Sequence, residues 1–177
     1  VDSGVVIMFS TGCSLTVNGS MFTSGTQEAP VIITSTQDVS AGGEGAGAAG
    51  QWGRLIFSNS AGSALSNTVI KFGQQVTLTN SSPRLESVTI ASMSVMAISS
   101  DLLSFPTGSG NYSYGSPINA IDLPSGSYTK DAVWGMLGIP YGIRNGTLVV
   151  PSGKRLTISP GVIVKLRSDS LSVDGIL

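Results

Sequence analysis

Leu65-Ser-Asn-Thr-Val-Ile70 and Leu85-Glu-Ser-Val-Thr-Ile90 are two short apolar-alternating segments set twenty residues apart. Val76-Thr-Leu78 and Met96-Ala-Ile98 keep the same offset, as do Asn80 and Ser100. Alternation over a few residues puts the apolar side chains on one face of an extended strand. A period near twenty, with two or three such strands in each turn, is what one coil of a parallel β-solenoid needs. Each coil pairs only with its neighbours, and side chains of like kind stack along the axis. Leu65 is then expected over Leu85 and Ile70 over Ile90, as inward aliphatic ladders, with Ser, Thr and Asn outside.

The same grammar extends in both directions. Apolar-alternating segments at 5–9, 15–17, 31–34, 55–57, 69–72, 95–98, 118–123, 147–150, 156–158, 162–166 and 171–173 are each bounded by Gly, Ser, Asn or Pro. Many short strands between turn signals predict an all-β chain. No window of a dozen residues sustains a 3.6-residue apolar period, and residues 131–137 are read as at most one helical turn. Two stretches break the rhythm. One, 36–51, contains Ser40-Ala-Gly-Gly-Glu-Gly-Ala-Gly-Ala-Ala-Gly50; the other, 105–117, is rich in Gly, Ser and Tyr. Both are read as loop excursions, which is where a rigid scaffold tends to carry binding function.

A longer period lies over the short one. Gly4-Val-Val-Ile-Met-Phe9 followed by Leu15-Thr-Val-Asn-Gly19 reappears as Gly161-Val-Ile-Val-Lys-Leu166 followed by Leu171-Ser-Val-Asp-Gly175. Gly4 to Gly161 spans 157 positions and Leu15 to Leu171 spans 156. Residues 1–20 are therefore equivalent to 158–177, and the chain reads as a single block, one unit of a longer tandem array plus an overlap. At about 20–25 residues per coil the unit holds roughly seven coils, or roughly 34 Å of axis at the ~4.8 Å strand spacing. The end strands, through Val5, Ile7 and Phe9 and through Val162, Val164 and Leu166, are the expected places for end-to-end joining.

Composition removes several functions. Charged residues are 11% and the net charge is −1, against ~25% charged in an ordinary soluble domain. No basic patch exists to neutralise phosphates, which argues against nucleic acid. No apolar run approaches the ~20 residues of a membrane-spanning helix, so membrane insertion is not expected. Cys13 is the one cysteine and histidine is absent, leaving no disulfide within the chain and no imidazole to activate the thiol. Gly45-Ala-Gly47-Ala-Ala-Gly50 fits the letters of a dinucleotide fingerprint, but a strand rather than a helix is expected to follow it. Ser127-Tyr-Thr-Lys130 lacks the partner motifs that an acyl-transfer site needs. Asp101, Asp122 and Asp131 are not tied to one surface, and Lys71 and Arg84 stack on alanines. An enzyme is not expected.

The run from Val150 to Leu166, Val-Pro-Ser-Gly-Lys-Arg-Leu-Thr-Ile-Ser-Pro-Gly-Val-Ile-Val-Lys-Leu, followed by Leu171-Ser-Val-Asp-Gly-Ile-Leu177, resembles right-handed parallel β-helix repeat proteins. So do Leu15-Thr-Val-Asn-Gly19, Pro30-Val-Ile-Ile-Thr-Ser35 and Gly50-Gln-Trp-Gly-Arg-Leu-Ile-Phe57. Such repeats occur in large secreted and cell-surface proteins of bacteria and archaea. The resemblance implies a right-handed parallel β-helix and an extracellular or cell-surface location. It says little of activity, because the fold hosts lyases, hydrolases, adhesins and passive stalks. It also implies an acidic, glycine-rich calcium loop, of which this chain keeps only Asp38 and Glu44; Ca²⁺ takes 6–8 oxygen ligands. The expected function is a non-catalytic stalk, spacer or filament body that needs no cofactor and stacks end to end on copies of itself or neighbouring repeats. The alternative is a carbohydrate-binding module for surface polysaccharide, acting through Tyr112, Tyr114 and Trp52. A polysaccharide lyase or hydrolase comes third.

Overall fold

The computed structural model describes residues 1–177 and is a parallel β-solenoid of about seven turns. The first coil consists of β1 (Val6–Phe9), β2 (Leu15–Val17) and β3 (Phe22–Ser24). The second has β4 (Val31–Ser35), β5 (Arg54–Ser58) and β6 (Ala64–Ser66), and the third has β7 (Thr68–Lys71), β8 (Gln75–Thr79) and β9 (Arg84–Glu86). The fourth has β10 (Thr89–Ala91), β11 (Ile98–Ser100) and β12 (Thr107–Ser109). Above them come β13 (Tyr112–Tyr114), β14 (Ile121–Ser127), β15 (Ala132–Trp134), β16 (Tyr141–Val150), β17 (Leu156–Ile158), β18 (Val164–Lys165) and β19 (Ser170–Val173). The first sheet runs β1-β4-β7-β10-β13, the second β2-β5-β8-β11-β14-β16-β18, and the third β3-β6-β9-β12. Every pairing is parallel.

Register explains the sequence pattern. In the second sheet Leu15, Leu55, Val76, Ile98, Ile121, Tyr141 and Val164 stack in one inward column of seven levels. In the first sheet the column is Ile7, Ile33, Ile70, Ile90 and Ser113. In the third it is Thr23, Leu65, Leu85 and Gly108. Leu65 therefore stands on Leu85 and Ile70 on Ile90, and all four are buried. One apolar cluster reaches from Met21 to Leu156. Corners are made by single residues in the left-handed region: Asn67 (φ 42°) turns β6 into β7, and Ser87 (φ 54°) lies just after β9. Short polar side chains tolerate that region best. At another corner Asn80 donates to the Asn59 amide oxygen at 2.9 Å and takes the Asp101 carboxylate on its own N–H at 2.7 Å, so the turns form a polar ladder of their own.

Several expectations change. Residues 105–117 are not an excursion: β12 and β13 lie inside them, in register with β9 and β10. The apolar signal is missing because Gly108 and Ser113 hold the inward positions, while Tyr112 and Tyr114 point outward. Val76 pairs with Ile98, 22 positions on, and not with Met96; the 92–97 turn is longer and moves the strand. Residues 131–137 hold β15 rather than a helical turn. The 36–51 loop is a true excursion between β4 and β5, carrying one 3-10 turn at Val39–Ala41.

The coil also changes shape along its length. The first sheet ends at β13 and the third at β12, and a two-stranded sheet of β15 and β17 appears above them. Meanwhile β14 and β16 lengthen past an irregularity at Pro124/Gly126 and gain a second run of pairs, from Gly126↔Leu148 to Val150↔Val173. As a result β1 and its sequence match β18 sit on different sheets, while β2 and its match β19 share the second sheet at different columns. β1 belongs to the first sheet and β2 to the second, whereas β18 continues the second sheet and β19 its extension on β16. The motif specifies strand, turn and strand. The neighbours below decide which column those strands join.

Candidate functional site

Both ends of the solenoid are open. β1, β2 and β3 each stand at the edge of their sheet. β1 and β2 are unpaired on their outer side, while β3 is covered by Val1 and Asp2, with Ser24 N–H donating to Val1 O at 2.9 Å and the Val1 ammonium to Phe22 O at 2.7 Å. The interior of the first coil opens as a concavity of about 530 Å³ lined by Ile7, Leu15, Val17 and Met21 among others. Val1, Val5, Val6 and Phe22 are exposed beside it, and at the far end so are Ile163, Leu166, Val173, Ile176 and Leu177. Val6, Phe22 and Val173 lie within the end strands and the others lie beside them. Of the predicted joining residues, Val5 lies one residue before β1, Ile7 and Phe9 lie within it, Val164 is in β18, and Val162 and Leu166 flank that strand.

The backbone gives the first edge a direction. Val5 O accepts from Ile32 N–H at 2.9 Å and Phe9 O from Thr36 N–H at 3.0 Å, both toward the second coil. Alternate residues of a strand turn their peptide groups to opposite sides. Val6 and Met8 therefore turn theirs to the open edge.

The calcium candidates separate. Asp38 is buried, and its carboxylate accepts from Thr34 Oγ1 at 2.8 Å and Ser40 Oγ at 2.7 Å, with Lys71 Nζ 2.8 Å away. Glu44 is exposed and joins none of these contacts. No third acid gathers with them. Burial pushes the Asp38 carboxyl up, but hydrogen bonds from Lys71, Ser40 and Thr34, with the Lys71 charge, outweigh it and hold the group below its usual range. Asp38 thus meets an ammonium group where the resemblance implied a metal ion, and it anchors the 36–51 loop to β7. Asp38→Ala leaves Lys71 without its anion, and urea unfolding at pH 7 will show a loss of about 3 kcal/mol. A lowered folded-state value means this stabilisation is present above the unfolded carboxyl value near 4 and is lost as pH falls through the folded one. The gap between wild type and variant will therefore close below about pH 4.

The aromatic candidates separate as well. Trp52 is fully buried, stacked on Phe9 at 5.0 Å between ring centroids, and its indole N–H donates to Lys71 O at 2.8 Å. It offers no face to a ligand, which corrects its assignment to glycan binding. Trp134 is equally enclosed, stacked on Tyr141 at 5.0 Å and bonded to the Tyr128 hydroxyl. Burial, partly offset by that bond, pushes Tyr128 up to about 12. Tyr112 and Tyr114 are different. They are 61% and 49% exposed, with rings 5.6 Å apart on the outer face of β13. Tyr112 is in register with Thr89, one wall of a polar groove of about 420 Å³ that Gln27, Asn67, Ser87 and Gly110 also line.

One charged constellation was not expected. Asp122 and Arg144, on neighbouring coils, pair a buried carboxylate with a half-buried guanidinium in a second groove beside Lys165, Arg167 and Asp169. The coil register alone does not name the pair, since it puts Gly142 over Asp122 and Arg144 over Pro124, so Arg144 reaches Asp122 diagonally.

Compared with protein-family models, with curated proteins and with solved structures, the chain matches none.

Proposed function

We propose that the chain is a non-catalytic structural segment of an extracellular or cell-surface protein, a stiff spacer, stalk or filament body. Its end coils are continued by further coils, of the same chain or of a second copy. The observation that carries this reading is the first coil, in which β1 and β2 are unpaired edge strands beside an open apolar interior. Unpaired strand edges of this kind template the addition of another strand, and buried apolar area rewards it. The matched motifs at the two ends support continuation.

Electron microscopy of one, two and three fused copies tests the reading. Rods that lengthen by roughly 34 Å per copy, the rise of seven coils, are the expected result. Separate globules on a flexible string would overturn it. A second reading, glycan binding, is favoured by the exposed Tyr112/Tyr114 pair at the end of the Thr89 groove, since flat aromatic faces beside polar groups suit a sugar ring. Under it, Tyr112→Ala with Tyr114→Ala abolishes retention on immobilised polysaccharide; a stalk is unaffected.

A further inference from the structure

The outward column of the second sheet is Thr16, Ile56, Thr77, Ser99, Asp122, Gly142 and Lys165. Gly142 breaks it. A Cβ there would come within 3.2 Å of Asp122 Oδ1 and 3.6 Å of Ala120 Cβ, a tight fit, so bare backbone forms a shallow hollow between Asp122 and Lys165. Those two residues are two strand spacings apart, roughly 10 Å, too far to pair with each other. The hollow is the floor of a groove of about 330 Å³ walled by Arg144 and Asn145 on one side and by Lys165, Arg167 and Asp169 on the other.

The charges in this groove are not balanced in their contacts. Asp122 is 3% exposed and committed: Arg144 Nη1 lies 2.9 Å from its Oδ2 and also donates to its backbone oxygen at 2.6 Å. Arg144 Nη2 donates to Ser99 Oγ at 3.2 Å. A guanidinium has five N–H donors, so two of Arg144's remain unspent while its position is fixed. Asp169 is also committed, accepting from Gly146 N–H at 2.7 Å. Lys165 and Arg167 have no carboxylate within ion-pair distance. Three cations, Arg144, Lys165 and Arg167, thus face two acids in the groove, Asp122 paired with Arg144 and Asp169 holding one backbone N–H. An oxyanion would find converging donors on the side of Arg144, Lys165 and Arg167.

We propose that the Gly142 hollow is an oxyanion site, taking a carboxylate or sulfate group between Arg144 and the Lys165/Arg167 pair. The group arrives either as a free small ion or carried on an acidic polymer, and the site is independent of the end-to-end reading. The test uses the whole 177-residue chain, with amide NMR titration by sodium sulfate, sodium acetate, carboxymethyl dextran and uncharged dextran. Saturable shifts centred on Gly142, Lys165 and neighbouring amides are expected with the anionic probes and not with dextran. Binding by acetate and sulfate alone identifies a small-ion site; tighter binding of carboxymethyl dextran identifies a polymer-borne group. Lys165→Gln with Arg167→Gln will weaken binding about tenfold or more, the weight of lost charge-assisted contacts. Gly142→Val keeps every charge, fills the hollow and will also abolish binding, while Arg54→Gln on the second coil will not change it. Circular dichroism verifies that each variant is folded. Absence of saturable shifts in the wild type, or binding that survives Gly142→Val in a folded protein, would overturn the site.

Discussion

On the proposed end-to-end reading, proline at both Val6 and Met8 will leave single units under conditions in which the wild-type chain joins. These two residues turn their peptide groups away from the second coil, since Val5 and Phe9 spend theirs on Ile32 and Thr36. Proline removes an N–H donor and is tolerated on an edge strand whose donor faces outward. No hydrogen bond within the solenoid is lost, so the melting temperature will move by only about 4 °C or less. Across the junction the effect is larger. Two donors vanish, two acceptors of the incoming strand are left unsatisfied, and the pyrrolidine rings obstruct its approach. At about 1–3 kcal/mol for each unsatisfied group, association falls by about a hundredfold or more. Threonine at the same two positions keeps both donors and will still join. Sedimentation velocity across a concentration series, with microscopy of the same samples, reads the outcome. Proline variants that join as readily as wild type would show that the strand edge is not the contact.

What could be read from the sequence and what could not divides along a physical line. Leu65, Leu85, Ile70 and Ile90 were legible because a ladder repeats the same chemistry at the same offset. The coil at 107–114 was not, because its inward positions hold Gly108 and Ser113 and its large side chains face solvent. Periodicity detects hydrophobic burial and is blind to a strand held only by backbone pairing. The pairing of Asp38 with Lys71 was hidden for a different reason. Nothing marks a carboxylate on a loop as the partner of a lysine 33 positions later until the coil brings them to 2.8 Å. Asp122 and Arg144 were hidden too, because the register puts Gly142 over Asp122 and the pair forms across the diagonal to Arg144. The matched ends mislead in one respect. They share a local grammar, and the pairing column each strand joins is set by neighbouring coils that the motif does not contain.

Gly108→Ala will cost about 4 kcal/mol or more, one of the largest losses available to a single methyl group in this chain. Gly108 sits in the inward column directly on Leu85, at φ +118°. A Cβ there would lie 1.8 Å from Leu85 O and 2.7 Å from Leu85 C. Those atoms are backbone, so no rotamer change relieves the contact; β12 has to part from β9. The dihedral adds its own cost, about 1–3 kcal/mol for a side chain held in so sparsely populated a region. Gly153→Ala is the control. It also has a positive φ, +74°, but nothing lies within 4 Å of its Cβ position, so it will cost only the left-handed penalty of about 1–2 kcal/mol. Because each coil contacts only its neighbours, the damage will stay local. Hydrogen exchange will show lost protection at the amides of 107–114 and 121–127, with 54–58 and 68–71 retained. A Gly108→Ala protein no less stable than Gly153→Ala would mean that β12 is not seated on β9. The change of coil shape above the fourth turn, and with it the placement of β1 and its match β18 on different sheets, would then have to be redrawn.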